Sequence, residues 1–340
     1  MRVVSCVPRQ CYSFQDKLSW LDDALTSHPC ELFVTPQELF GGVQQMFFKT
    51  GEPLSYDADT VVGPVLELAK QHDTGIAFGA VIDDPLLRQR RERIFVVDPT
   101  RGVTGTFDKM MLPAYDHIDA KSEIAISPET SFAKRARTAH VKGAEVTILF
   151  CWEVWSNYIW HALAQSNADI VLSMIKFGIA GYPTKGKDEQ GRACVNGFGY
   201  GNDGGWLRRL QSASEFDVAA PIVCSTNSWN QPKRSRPLCG TIFPFSEDSL
   251  VYPAKGSRGE IEETFVVDDI DPMVCRYSRE NKFKLHEETG EWPTGPVRSK
   301  TMMWKVRRME RKFESLATNG PKPRRLVLRG KRSAQLKGRV

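Results

Sequence analysis

The sequence predicts an α/β fold in which two stacked mixed sheets are covered by helices. Apolar strand-like runs alternate with amphipathic helical stretches along the body of the 340-residue chain, an order typical of layered α/β architecture. The run Val146–Phe150 is almost continuously apolar, as expected for a strand covered on both faces. The composition, with 41% hydrophobic and 10% aromatic residues, fits one large domain or two small ones.

The first half of the chain contains the elements of one sheet and its helices. A helix is predicted over Ser13–Ser27 because Leu18, Leu21 and Leu25 recur on one face. The segment Asp98–Gly102 has the turn chemistry of a hairpin. Further predictions are a helix over Asp57–His72 and strands over Arg2–Val7, Glu31–Thr35, Gly75–Ile82, Arg93–Val97 and Val103–Phe107.

The second half of the chain contains a strand over Val146–Phe150 that is followed by a turn and a helix. Helical spacing follows over Trp155–Gln165, and a glycine-rich loop is predicted over Gly191–Gly205. No clean linker interrupts the chain before about Gly290, where Glu291–Pro296 breaks any regular element. The remaining elements are a helix around Leu207–Phe216 and strands over Asp169–Ile175, Ile222–Thr226, Gly240–Phe245, Leu250–Tyr252 and Glu262–Val267.

Charge divides the chain into an acidic body and a basic tail. Residues 298–340 hold 15 Lys or Arg and two Glu, a net charge of +13. Because the whole chain carries +5, residues 1–297 carry −8. We therefore expect one large domain over residues 1–290 and a basic extension over residues 291–340. Opposite charges favour docking of the extension on a neighbouring subunit, and binding of nucleic acid or an anionic surface is the open alternative.

Composition also excludes several classes of protein. Eighteen Phe and eight Trp argue against a disordered chain, and the absence of a CxxC pair among eight cysteines argues against a zinc ribbon. No apolar run approaches the length of a membrane-spanning helix, and residues 1–10 lack the features of a secretory signal. We expect a cytoplasmic protein with reduced thiols, no metal and no cofactor.

Cys151 is the first candidate catalytic residue. It follows the strand Val146–Phe150 directly and precedes the predicted helix. A thiol at such a turn lies near backbone N–H groups and the positive end of a helix, which both favour the thiolate. A buried structural cysteine is the alternative interpretation of the position alone, so the surrounding motifs decide between the two.

Three segments give the chain a resemblance to a known family. The segment 143–172, GAEVTILFCWEVWSNYIWHALAQSNADIVL, resembles the nucleophile region of the nitrilase superfamily of carbon–nitrogen hydrolases. Phe33–Gly42 (FVTPQELFGG) looks like that family's strand, proline and catalytic glutamate, and Gly105–Pro113 (GTFDKMMLP) is similar to its lysine motif. The motifs stand in the family's order, and with weaker similarity over segments 217–227 and 240–271 the resemblance covers roughly residues 2–275.

The resemblance implies a four-layer α-β-β-α sandwich and a cofactor-independent thiol hydrolase. Its substrate would be a small molecule with a non-peptide C–N bond, an amide rather than a nitrile. Hydrolysis through a thioester needs a nucleophile, a group that takes and returns a proton, and a positive charge. Cys151, Glu38 and Lys109 would fill these roles in turn. Each follows a predicted strand, so we expect them to meet at one edge of the sheets.

Several further residues are expected at the site. Glu123 is the nearest candidate for a second glutamate found in the family, with a surface role as its alternative. The backbone N–H of Trp152 would complete an oxyanion hole, and Glu153 would fix the turn or the lysine. Tyr200, within the glycine-rich loop, and Trp206, directly after it, would border the substrate cleft, with a mobile surface as the alternative.

The helix after the nucleophile departs from the family pattern. The family usually carries Pro-Glu and then Arg there, and this chain has Asn157, Tyr158 and His161. Because the arginine is missing, we expect a weakened ion pair behind the site. His161 would replace the arginine only partly. A catalytically silent nitrilase-like scaffold whose basic tail binds nucleic acid or a protein partner is therefore the alternative function. Members of the family commonly assemble, so a homodimer or larger homo-oligomer is expected.

Overall fold

Two β-sheets lie face to face at the centre of the protein. The computed structural model describes residues 1–42, 53–85, 89–111, 128–176, 183–187, 193–197, 204–227, 237–244, 248–254 and 261–273. All of them belong to the unit Met1–Asn281. The basic extension and the predicted boundary near residue 290 lie outside these ranges.

The first sheet has six strands in the order β13-β1-β2-β3-β4-β5. The central strand β2 is parallel to both neighbours, and the other pairs are antiparallel. A register shift interrupts the β4–β5 hairpin beside the predicted turn. The strands are β1 (Arg2–Val7), β2 (Leu32–Val34), β3 (Gly75–Asp84), β4 (Gln89–Asp98), β5 (Gly102–Asp108) and β13 (Thr264–Asp269).

The second sheet has five strands in the order β12-β11-β8-β7-β6. Its three central strands run parallel, so their carboxyl ends lie at one edge. A separate antiparallel hairpin pairs β9 with β10. These strands are β6 (Ala139–Val141), β7 (Ala144–Phe150), β8 (Ile170–Ile175), β9 (Pro183–Lys187), β10 (Ala193–Gly197), β11 (Ile222–Thr226) and β12 (Cys239–Ile242).

Helices cover the outer face of each sheet. They are α1 (Phe14–Ser27), α2 (Ala58–Gln71), α3 (Pro128–Arg135), α4 (Asn157–Gln165) and α5 (Gly204–Ser212). Trp20 of α1 and Val65 of α2 pack on the first sheet, and Trp160 of α4 and Leu210 of α5 pack on the second. Within the described ranges, no helix is long and apolar enough to cross a membrane.

A third apolar cluster fills the space between the two sheets. It joins side chains of the first sheet, such as Val34 and Ile94, to side chains of the second, such as Ile148 and Leu172. Both sheets are thus covered on both faces, which accounts for their continuous apolar runs. The predicted four-layer α-β-β-α arrangement is confirmed.

Three local predictions need correction. The predicted loop Gly191–Gly205 contains β10, because backbone pairing with β9 satisfies its polar groups despite the nearby glycines. The predicted strand Leu250–Tyr252 is reduced to one isolated bridge, between Val251 and Cys239. The helix predicted over Leu207–Phe216 begins at Gly204 and ends in a π-helical turn, Ala213–Asp217.

Candidate active site

The chain after β2 lies flat against β3 and carries Gln37 and Glu38 into the interior. The backbone N–H of Leu39 donates to the Gly79 carbonyl at 2.9 Å. A Cβ at Gly79 would lie 1.7 Å from the Gln37 carbonyl oxygen, so only glycine permits this approach. A Cβ at Gly42 would lie 2.2 Å from Glu38 Oε2. Glycines therefore make the room in which the Glu38 carboxylate sits.

Glu38 and Lys109 are the two ends of a row of four buried charged side chains. Lys176 Nζ lies 2.6 Å from Glu38 Oε1 and 2.8 Å from Glu92 Oε1. Lys109 Nζ lies 2.8 Å from the other oxygen of Glu92. We call Glu38, Lys176, Glu92 and Lys109 the buried charge chain. Their alternating signs offset the cost of removing each ion from water.

Cys151 is connected to this chain through Gln37. The backbone N–H of Cys151 donates to Gln37 Oε1 at 3.3 Å, and Gln37 Nε2 donates to Glu92 Oε2. The structure therefore brings segments around Glu38, Lys109 and Cys151 to one place, although they are far apart in sequence. Asn227, directly after β11, donates its side-chain amide to the Glu38 carbonyl at 3.1 Å.

The nucleophile candidate begins a short turn rather than an α-helix. Cys151–Trp155 forms a 3-10 helix, and α4 starts only at Asn157, with Ser156 as its cap. The Cys151 side chain is half-buried. A five-residue turn has a smaller dipole than the predicted helix, so the turn itself favours the thiolate less than the sequence predicted.

The two carboxylates of the buried charge chain differ in proton affinity. Burial raises the pKa of Glu38 to about 8, against the opposing attraction of Lys176 and with a further upward contribution from Glu92. Burial by itself would raise the pKa of Glu92 as well. The ammonium groups of Lys109 and Lys176 outweigh it and hold this pKa well below the ordinary value. Of the two carboxylates, Glu92 therefore favours the charged form, whereas the protonated form is favoured more strongly at Glu38.

Glu153 connects the turn of the cysteine to the segment of the lysine. Its Oε1 accepts the backbone N–H of Met110 at 2.7 Å, directly after Lys109. Its Oε2 accepts the backbone N–H of Phe150 at 3.3 Å, directly before Cys151. One buried carboxylate thus fixes the chain beside both candidate residues.

A buried ion pair beside the Cys151 turn is made by Arg135 and Glu153. Arg135, at the end of α3, places a guanidinium nitrogen 2.7 Å from Glu153 Oε1, and both side chains are fully buried. The guanidinium also donates to the Asp108 carbonyl at 3.1 Å and lies over the Phe150 ring. The expectation that His161 would partly replace the arginine is wrong: His161 is exposed, with its ring beside Phe132.

Sequence reasoning missed Glu92, Lys176 and Arg135. Lys176 directly follows β8, the same relation to a strand that made Cys151 a candidate. Glu92 shares a face of β4 with the buried Ile94, because side chains alternate along a strand. These two signals were present in the sequence. Arg135 had no such signal, since α3 was not predicted.

The other predicted site residues are placed only in part. Glu123 and Tyr200 lie outside the residues that the structure describes. Trp206 belongs to α5, and the position of its side chain is likewise outside the description. Trp152 follows Cys151 in the 3-10 helix and is half-buried. Across the described ranges, no group of three or more His, Cys, Asp or Glu could hold a metal ion.

The fold is shared with solved structures of carbon–nitrogen hydrolases. An amidase from Nesterenkonia sp. AN1, with acrylamide added to its active-site cysteine, has a TM-score of 0.55 and 16% identity over 85% of this chain and 99% of that chain. A carbon–nitrogen hydrolase from Helicobacter pylori G27 has a TM-score of 0.59 and 14% identity over 84% and 94%. A CN-hydrolase superfamily protein from Xanthomonas campestris, with an arsenic adduct in its active site, has a TM-score of 0.58 and 10% identity over 87% and 99%.

These similarities decide the architecture. The protein has the nitrilase-superfamily fold. No protein-family model matches the sequence, and no curated protein matches it. With identities this low, the neighbours establish the nitrilase-superfamily fold, and the chemistry has to be argued from this chain's own residues.

Proposed function

We propose that the protein is a cofactor-independent thiol hydrolase that cleaves a non-peptide C–N bond, with an amide as substrate in preference to a nitrile. The observation that carries the proposal is the meeting of three motifs: Glu38 and Lys109 belong to one buried charge chain, and Gln37 connects that chain to Cys151. A nucleophile, a proton-exchanging carboxylate and an ammonium in one place are the groups that acyl transfer needs. The amidase among the structural neighbours favours an amide.

In the first half of the reaction, Glu38 accepts the thiol proton of Cys151 while the sulfur attacks the amide carbon. Negative charge then develops on the amide oxygen, where Lys109 Nζ and the backbone N–H of Trp152 stabilise it. Glu38 returns the proton to the nitrogen, the C–N bond breaks, and ammonia or an amine leaves. Cys151 is left as a thioester of the acyl group.

In the second half, Glu38 accepts a proton from water as the water oxygen attacks the thioester carbon. The tetrahedral intermediate collapses with breakage of the C–S bond, and the proton returns to the sulfur. A carboxylic acid is released, and the starting thiol is restored. A carboxyl group with a pKa near 8 is suited to both directions of transfer, because its proton affinity is close to that of a thiol.

The direct test is ammonia release from a panel of primary amides, nitriles and N-carbamoyl compounds. We expect turnover of at least one amide and a loss of at least about 10³-fold in Cys151→Ala. Cys30→Ala is the matched control, because Cys30 is also half-buried and burial raises its pKa to about 12. Unchanged ammonia release in Cys151→Ala would contradict the proposal. No release from any compound would favour the silent scaffold.

Thiol reactivity provides a second test that needs no substrate. Burial raises the pKa of Cys6, Cys11, Cys224 and Cys239, so their reactive thiolate forms are scarce at neutral pH. We expect iodoacetamide near neutral pH to label Cys151 before these four and before Cys30. Peptide mass spectrometry over a time course measures the order. Equal labelling of Cys151 and Cys30 would argue against an activated nucleophile.

A further inference from the structure

The Lys176 ammonium lies between two buried carboxylates, those of Glu38 and Glu92. We propose that Lys176 and Glu92 act as a tuning pair: Lys176 is a positioning residue that, together with Glu92, sets the pH at which Glu38 exchanges the proton of the reaction. The inference deepens the proposed hydrolase function and rests on it for its catalytic meaning. Its electrostatic content concerns the resting protein and can be tested without a substrate.

The geometry makes Lys176 a shared partner rather than a simple salt bridge. Its side chain is 2% exposed, and its Nζ lies 2.6 Å from Glu38 and 2.8 Å from Glu92. Lys176 directly follows β8 of the second sheet, whereas Glu92 lies on β4 of the first. Because each partner comes from a strand or strand end covered by the core, the contacts are held in place from both sheets.

The charged groups around Glu38 come from several elements. Lys176 follows β8 and Glu92 lies on β4, and each interacts with Glu38 electrostatically. Through Glu92 the chain reaches Lys109 after β5, and through Gln37 it reaches Cys151 after β7. Lys176 Nζ lies 2.6 Å from Glu38 Oε1 and is the main charge that lowers the pKa of Glu38, so its removal should shift that pKa strongly.

The two members of the tuning pair act on Glu38 in opposite directions. Lys176 lowers the pKa of Glu38, whereas burial and the negative charge of Glu92 raise it. Removing the ammonium while keeping Glu92 therefore makes Glu38 hold its proton to higher pH. Removing the charge of Glu92 while keeping Lys176 makes Glu38 lose its proton at lower pH. Opposite shifts from two neighbouring substitutions are a signature that general loss of packing does not produce.

The experiment follows the protonation of Glu38 in the intact chain by carboxyl infrared spectroscopy. The spectrum of Glu38→Gln is subtracted to isolate the Glu38 band. We expect the titration midpoint to rise by at least one pH unit in Lys176→Met and to fall by at least one unit in Glu92→Gln. Lys142→Met is the matched control, because Lys142 pairs with Asp73 at the opposite end of β7; its midpoint should equal that of the wild type.

A charge-neutral variant covers the case in which Lys176→Met does not fold. In Lys176→Met/Glu92→Gln the midpoint should lie above that of Glu92→Gln alone, because the lowering effect of the ammonium is gone. Equal midpoints in these two proteins, or shifts of the same sign in the two single variants, would overturn the tuning pair.

The pH profile of kcat/KM for ammonia release separates the tuning pair from the proposed function. If both are right, the acidic limb moves up in Lys176→Met and down in Glu92→Gln, in parallel with the infrared midpoints. Opposite infrared shifts without any ammonia release would support the tuning pair and refute the hydrolase. Ammonia release that depends on Cys151, with an unchanged Glu38 midpoint in both variants, would refute the tuning pair and support the hydrolase.

Discussion

Two buried carboxylates near the candidate nucleophile are held in contrasting ways. Glu153 accepts hydrogen bonds from backbone N–H groups of Met110 and Phe150 and from the Arg135 guanidinium. None of these donors changes its protonation at ordinary pH. Glu38 instead lies beside the ammonium of Lys176 and close to the carboxylate of Glu92, and both charges shift its pKa. The contrast separates a carboxylate that fixes the backbone from one whose proton affinity can be adjusted.

The largest expected effect concerns Glu153, the carboxylate that fixes the backbone, and it is a loss of stability. Arg135→Met leaves the Glu153 carboxylate buried without its guanidinium, so we expect a loss of about 3–5 kcal/mol in the free energy of unfolding. Urea denaturation with circular dichroism measures it. Lys142→Met is the control, since its partner Asp73 is exposed and such pairs contribute about 0–1 kcal/mol. A loss below about 1 kcal/mol in Arg135→Met would remove the structural role assigned to the pair.

The next effect concerns Glu38, the carboxylate whose proton affinity can be adjusted, and it is a loss of activity. In Gly42→Ala the new Cβ would lie 2.2 Å from Glu38 Oε2, and the end of that side chain would have to move. We expect kcat/KM for ammonia release to fall by about 10²-fold, the cost of misplacing a reacting group. Gly63→Ala is the control because nothing lies within 4 Å of its Cβ position. Wild-type activity in Gly42→Ala would show that the position of Glu38 is not critical.

The pH dependence of stability probes the protonation of the same carboxylate. The folded-state pKa of Glu38, about 8, lies above the unfolded value of about 4.3. Glu38 therefore stabilises the fold most at low pH, and this contribution is lost as pH rises from about 5 to 8. We expect Glu38→Gln to remove up to about 1.4 kcal/mol per pH unit of that decline. Urea denaturation at several pH values tests this, and parallel curves for the two proteins would contradict it.

The smallest effect is expected far from both carboxylates. Ser13 caps α1 by accepting the backbone N–H of Asp16 at 3.0 Å, and the Asp16 side chain returns a hydrogen bond to Ser13. Ser13→Ala should lower the free energy of unfolding by about 1 kcal/mol without changing the pH profile of ammonia release. A changed profile would mean that stability and the protonation of Glu38 cannot be separated by these experiments.

The sequence was most informative where one local signal sufficed. Apolar runs predicted most strands of the two sheets, the position directly after a strand identified Cys151, and a motif resemblance identified Lys109. The hairpin of β9 and β10 lacked such a signal, because Pro183–Lys187 (PTKGK) and Ala193–Gly197 (ACVNG) have no apolar alternation. Their pairing is a tertiary outcome that overrides local preference.

The buried ions were harder to predict than the strands. A charged residue in a strand is usually solvated, and Glu92 stands among arginines in Arg90-Arg91-Glu92-Arg93. Its burial depends on Lys109 and Lys176, which come from distant parts of the chain. Arg135 lies on α3, which was not predicted, and pairs with the buried Glu153. Strand alternation indicates the buried face of Glu92, but no local pattern indicates the opposite charges that the fold brings to Glu92 and Arg135.

The distribution of the ions between the sheets has a consequence for assembly of the fold. Glu38, Glu92 and Lys109 are carried by the first sheet and its adjoining segments, whereas Lys176 is carried by the second. In the first sheet alone, Glu92 would keep Lys109 as a counterion but Glu38 would lack the Lys176 ammonium. In the second sheet alone, Lys176 would lack both carboxylates, and water would have to solvate it until the other sheet arrived. Packing of one sheet on the other therefore removes water from these charged groups. A fragment that ends before β8 lacks Lys176 and should be unable to exclude water from its core.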